Sequence, residues 1–156
     1  MGRTGGMMRV HAMICACLGI GYLKGGGSYA ALVFVMIRYM TRTAGNSIAV
    51  QLAVFGLISV VGVWSSSKME AVWGKDSSKV VIDEVAGMSL TVLFVPPTAP
   101  YLITGFVLFR FFDIVKPLYL RRLEKIPGGW GVMLDDLGAG LFAHLVLSVT
   151  IASHLY

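Results

Sequence analysis

Apolar residues fall along this chain in long blocks with no two-residue alternation, and polar residues collect between the blocks. That pattern predicts helices and no strands. The first block, residues 10 to 23, predicts a helix that gives way to GIGYLKGGGS at 19 to 28. Five glycines there stop a helix and allow a close backbone approach. YAALVFVMI at 29 to 37 resumes the apolar character and runs out at Arg38 and Arg42. At about 1.5 Å per residue it is too short to cross a bilayer unless the arginines snorkel, so a short or tilted helix is expected.

Residues 48 to 64 form an apolar run with Gln51 as its strongly polar side chain and Trp64 at its end, the mark of a spanning helix with an interfacial anchor. SSSKMEAVWGKDSSK at 65 to 79 is polar and predicts a loop, which leads into VVIDEVAGM at 80 to 88. A further apolar stretch from 85 is broken by PPTAP at 96 to 100 and continues to 115. Three prolines so close cannot share one helix, so a helix, a tight loop and a second helix are expected. A polar connection follows Lys116 and Pro117, and the closing segment, 136 to 156, carries no Lys, Arg, Asp or Glu after Asp136. It is the best spanning candidate.

These blocks predict a single domain over 1 to 156, an all-α compact helical bundle and integral membrane protein of about six helices, of which four or five span. Alternation then places Lys24, Lys68, Lys75, Lys79, Lys116, Arg121, Arg122 and Lys125 on one face, and Arg3, Arg9, Arg38 and Arg42 on the other. The positive-inside bias puts the first face in the cytoplasm. Composition agrees: 56% apolar residues, 13% charged and a mean hydropathy of +0.78 lie outside soluble usage. The net charge of +5 favours contact with anionic membrane lipid. No basic patch with interleaved aromatics is present, so no nucleic-acid partner is expected. Arg3 and Arg9 ahead of the first block also fit a signal sequence, but with so much apolar chain downstream the block reads as a first helix. Cys15 and Cys17 read as small buried hydrophobes. Nothing in the pattern specifies an oligomeric state.

Acidic residues change the picture. Arg110, Asp113 and Pro117 share a helical stripe, with Lys116 one turn from Asp113. Asp135 and Asp136 follow GGWG and precede Ala139 and Gly140, while Asp83 and Glu84 precede Ala86 and Gly87. Small residues at these spacings let another helix approach beside the carboxylates. Five carboxylates without paired cysteines are oxygen donors for a hard cation, and Mg²⁺ fits best. The neighbouring Arg and Lys suit a phosphate dianion, and metal plus cations reads as phosphoryl chemistry. The same residues have plainer uses: Arg110 with Asp113 as a structural ion pair, the acidic pairs as helix caps, the glycines at 25 to 27 as a flexible turn. His144 and His154 read as packing or end residues, and His11 carries no signal.

KDSSKVVIDEVAG at 75 to 87, FVLFRFFDIVKP at 106 to 117 and GGWGVMLDDLGAG at 128 to 140, about a quarter of the chain, together resemble the phosphatidylglycerophosphatase A family. The resemblance implies a bacterial cytoplasmic (inner) membrane enzyme, multi-pass, with its site facing the cytoplasm. It implies Mg²⁺-dependent removal of the terminal phosphate of phosphatidylglycerophosphate to give phosphatidylglycerol. Carried over by position, the catalytic and metal-binding acids fall on Asp83, Glu84, Asp113, Asp135 and Asp136, and the substrate-phosphate contacts on Arg110, Lys116 and Ser28. The glycine segment keeps Gly27 and Ser28 but lacks the proline and threonine usual in the family. The resemblance leaves open which acid activates water, and whether an aspartate attacks directly. An alternative from another class is a small membrane transporter or channel component, which predicts acids near the bilayer centre rather than at helix ends.

Overall fold

The computed structural model describes residues 2–43, 47–75, 77–116 and 126–153. Pro117, Arg121, Arg122, Lys125, Asp76 and His154 lie outside the described residues. Within them the chain is helical throughout, with six α-helices: α1 (Gly2–Cys15), α2 (Gly26–Met40), α3 (Ile48–Trp73), α4 (Ile82–Thr91), α5 (Ala99–Val115) and α6 (Gly129–Ala152). A short 3-10 segment, Cys17–Tyr22, joins α1 to α2. The all-helical expectation holds among the described residues.

Several boundaries differ from those expected. The first helix ends at Cys15 instead of running to residue 23, because Leu18 (φ 59°) and Gly19 (φ 106°) take left-handed backbone that breaks the helical ladder. The freed Cys15 carbonyl accepts the Val81 N–H at 2.9 Å, tying the end of α1 to the start of α4.

The polar stretch expected as a loop from 65 is helical as far as Trp73. Its serines have partners that leave the ladder intact. Ser65 Oγ lies 3.2 Å from His11 Nδ1, Ser66 Oγ lies 3.8 Å from Cys15 Sγ, and Ser67 Oγ donates to the Val63 carbonyl. Gly74, at φ 82°, ends the helix. The closing helix starts at Gly129, so GGWG falls largely inside it and the acids sit two turns in.

The proline break is as expected. Phe94 takes φ 63° with its N–H held by Gln51 Oε1 at 2.8 Å, and α5 starts after Thr98 with Pro100 in its first turn.

Packing centres on α4, which lies chiefly against α6, with α5 on α6, α1 and α6 on α3, and α2 on α4. Gly87 and Gly140 meet at the α4–α6 crossing: a methyl on Gly140 would overlap the Gly87 carbonyl, and one on Gly87 would lie 2.5 Å from the Asp136 carbonyl and from the Phe109 ring. Phe109, Met88, Leu102 and Leu147 are buried beyond this crossing, and Met69, Met133, Ile82 and Cys15 form a second apolar cluster.

Two helices, α3 and α6, are long and apolar enough to cross a membrane by length and composition. The expected four or five are not reached among the described residues: α4 has 10 residues, α2 has 15 and α5 has 17, against about 20 for a full span. Only 11% of the apolar stretch of α3 is covered by the rest of the protein. On α5, Ile103, Val107, Phe111 and Ile114 form an outward apolar stripe, each more than half exposed. Arg38, expected on the membrane face opposite the charged loops, lies in the last turn of α2 and is buried there rather than exposed.

Candidate active site

The α4–α6 crossing decides where the acids go. Asp83 and Glu84 occupy the first turn of α4, one turn before Gly87. Asp135 and Asp136 lie one turn before Gly140 on α6. Because the two glycines touch, the four carboxylates are brought to the same level. The α5 helix supplies the third side, with Arg110, Asp113 and its left-handed terminal residue Lys116 (φ 46°).

The five acids converge. A cavity of about 120 Å³ is lined by Asp83, Glu84, Asp113, Asp135 and Asp136 with Lys116, Ser77, Ser78, Val80 and Val132. Carboxylate oxygens of Asp83, Glu84 and Asp136 lie within 4.8 Å of one another. Lys116 Nζ bonds Asp135 Oδ2, and Arg110 Nη1 lies 2.5 Å from Asp113 Oδ2. Glu84 is crowded from its other side by α2, where a methyl on Gly27 would overlap Glu84 Oε1. The glycine at this position is therefore a close-packing residue, which decides against a merely flexible turn there.

Burial and mutual repulsion dominate the electrostatics. Burial pushes the Asp83 carboxyl well above the usual carboxylate range, and the charges of Glu84 and Asp136 push it further, while the Glu84 backbone N–H, 3.1 Å from Asp83 Oδ1, opposes them. Burial also raises Glu84, against its hydrogen bond to Asp83; the Asp113 charge adds to the rise and Arg110 offsets it. Glu84 Oε2 is buried with no hydrogen-bond partner among the described residues. Three crowded carboxylates with an unsatisfied buried oxygen could hold a divalent cation, and an oxygen-only donor set suits a hard one. The Cys17 thiol is pushed up to about 11 by burial, then by Glu84 and Cys15, which leaves it protonated and a poor nucleophile at neutral pH.

Six of the eight residues expected at the site line the cavity, and Arg110 reaches it through Asp113. Ser28 does not line it; it is half-buried on α2 beside Gly27. Asp135 and Asp136 do not cap α6, since they lie six and seven residues inside it. Ser77 and Ser78 were not anticipated; the signal available was their place in KDSSK, just ahead of the acidic pair. His144 lies away from the site, with Nδ1 3.1 Å from the Thr91 carbonyl.

The model of the family described as phosphatidylglycerophosphatase A matches residues 13–151. A Bacteroides thetaiotaomicron protein, provisionally named a phosphatidylinositol-3-phosphatase, is 44% identical over 96 residues, 60% of each chain. Phosphatidylglycerophosphatase A of Haemophilus influenzae is 34% identical over 94 residues, 58% of each chain. That of Escherichia coli is 30% identical over 124 residues, covering 78% of this chain and 69% of the relative. The chain thus spans about six tenths of the length of the first two relatives. No solved structure matches it.

Proposed function

The chain belongs to the phosphatidylglycerophosphatase A family, and on that premise we propose that it hydrolyses the terminal phosphate of phosphatidylglycerophosphate to phosphatidylglycerol in an Mg²⁺-dependent reaction. The observation that carries this reading is the convergence of five carboxylates, Lys116 and two serines on one small cavity. Asp83, Glu84 and Asp136 are the proposed metal ligands. Bound there, Mg²⁺ would relieve the carboxylate repulsion and offset the charge of the phosphate.

Lys116 and Arg110 bind phosphate oxygens while keeping their contacts with Asp135 and Asp113. Ser77 and Ser78 donate hydrogen bonds to the same group. Asp113, oriented by Arg110, takes the proton of the attacking water as the water oxygen bonds to phosphorus. The bond to the glycerol oxygen breaks, that oxygen takes a proton from solvent, and Asp113 returns the proton it accepted to solvent, which restores the starting carboxylate. Positioning and charge neutralisation are what this reaction chiefly requires of a protein.

The exposed apolar faces of α3 and α5 support insertion in a membrane, and membership of the family extends that reading to a multi-pass protein of the bacterial inner membrane. The acids lie in the first turn of α4, the last turns of α5 and the second turn of α6. That is a site near one membrane surface, suited to a lipid headgroup, and unlike the mid-bilayer acids of a transporter.

The test is phosphate release from phosphatidylglycerophosphate by purified protein, with Mg²⁺ and with chelator. Release that needs Mg²⁺ and vanishes in Asp136→Ala is expected. No release by folded wild-type protein above that variant sinks the reading. A parallel assay on phosphatidylinositol 3-phosphate, the lipid in the name of the Bacteroides relative, tests substrate choice. Faster release from that lipid would reassign the substrate.

A further inference from the structure

Lys79 stands next to Ser78 in the chain, but its side chain does not line the acid cavity. It lies over two rings instead. Nζ is 5.6 Å from the ring centre of Trp73, the last residue of α3, and 6.0 Å from that of Tyr22, the last residue of the 3-10 segment. The two rings meet edge-on with their centres 6.1 Å apart. The Lys79 backbone is seated on the same segment, since Gly21 is buried there and a methyl on it would overlap the Lys79 carbonyl. Two residues on, the Val81 N–H donates to the Cys15 carbonyl at 2.9 Å. Residue 79 thus ties the segment ahead of α4 to the end of α3 and to the connection between α1 and α2, while Ser77 and Ser78 face the acids.

We propose that Lys79 is a positioning residue for the phosphate-binding serines: its ammonium, held by Tyr22 and Trp73, sets where Ser77 and Ser78 stand relative to the acids. This rests on the phosphatase reading, in which those serines donate to the phosphate. Three observations argue for position rather than overall stability. Lys79 is exposed and Tyr22 is 61% exposed, so a cation–π contact between them adds little to folding. Gly74, at φ 82°, precedes the segment and lets the chain turn freely there, so the end of α3 does not by itself fix the serines. The Val80 N–H donates to the Ser77 carbonyl at 2.9 Å, and the Lys79 N–H lies 3.5 Å from Ser77 Oγ, so a shift of residue 79 carries the serine turn with it.

The glycine-rich connection then has a part in the site without touching substrate. Gly27 admits Glu84, and Gly21 admits the backbone of Lys79. One connection seats both an acid and the serine turn.

Kinetics and amide hydrogen exchange on the full chain test this together. Lys79→Met keeps the side-chain length and removes the charge, and Tyr22→Leu removes a ring from the other side. Either variant should melt at the wild-type temperature and speed exchange of the amides of residues 77 to 81. Either should also lower kcat/KM for phosphate release from phosphatidylglycerophosphate about three- to tenfold, as for loss of a hydrogen bond to the phosphate. Lys79→Arg, which keeps a cation over the rings, should restore both readouts. In a Ser77→Ala/Ser78→Ala background, Lys79→Met should cost nothing further, because the groups through which it acts are gone. Unchanged exchange in Lys79→Met and Tyr22→Leu, or an equal fall in kcat/KM with and without the serines, overturns the proposal. Failure of the phosphatase reading shows separately, as no release by folded wild-type protein, and exchange then decides alone whether Lys79 seats the segment.

Discussion

Gly27 on α2 and Glu84 on α4 are packed so that the Glu84 carboxylate, with Oε1 foremost, occupies the space that a β-carbon on residue 27 would need. The atom displaced by a methyl at this point is the end of a side chain, one that can swing, rather than backbone. Gly27→Ala should therefore fold and displace the carboxylate. A displacement of about 1 Å in a catalytic constellation costs on the order of a hundredfold, so kcat should fall by about that factor. Thermal melting together with phosphate release checks this. Unchanged turnover would show that the position of Glu84 does not matter.

Asp113 and Asp135 each sit against a cation, Arg110 and Lys116 respectively, and both line the acid cavity. Asp113→Asn and Asp135→Asn keep the shape and remove the charge. Loss of positioned electrostatics typically costs ~10²–10³ in kcat, and that loss is expected of both. The folded state should survive. Normal rates in both variants would move the chemistry elsewhere.

The acidic pairs and the small residues one turn beyond them were legible because helical spacing connects them in sequence. Gly87 and Gly140 confirm that reading by touching. Helix ends were less legible. Ser65 and Ser66 look like a loop until His11 and Cys15 of α1 are seen to face them, a contact made across more than 50 residues. The burial of Arg38 was equally hidden, since a Lys or Arg at the end of an apolar run reads as a membrane-surface charge. Ser77 and Ser78 carry no periodic signal, and only the fold of the segment ahead of α4 brings them to the acids.

The glycine contact between α4 and α6 carries its own expectation. Gly140→Ala puts a methyl into the Gly87 carbonyl, which is backbone and cannot rotate away. Overpacking of this kind costs typically ~1–3 kcal/mol, and the helices must separate to relieve it. Both a lower apparent melting temperature and lower turnover are expected, unlike Gly27→Ala, where turnover alone should suffer. A melting temperature equal to wild type would mean that the crossing is not closely packed.

Metal and proton should compete at Asp83 and Glu84. Burial and neighbouring charge raise both carboxyls in the folded protein above the ordinary value near ~4 that they regain on unfolding. A raised carboxyl contributes stability that is fully present below its unfolded pKa and lost as pH rises through its folded pKa. Chelator-treated protein should therefore melt at progressively lower temperature as pH is raised from about 4 towards neutrality. A cation at the cluster favours the ionised carboxylates, so Mg²⁺ should remove that decline. Saturation at a hundred times Kd adds about 2.7 kcal/mol, and the gap between the Mg²⁺ and chelator curves should widen with pH. Melting curves over this pH range in both conditions decide the matter. A gap that stays constant with pH would place the cation away from these two acids, because binding there must displace their protons.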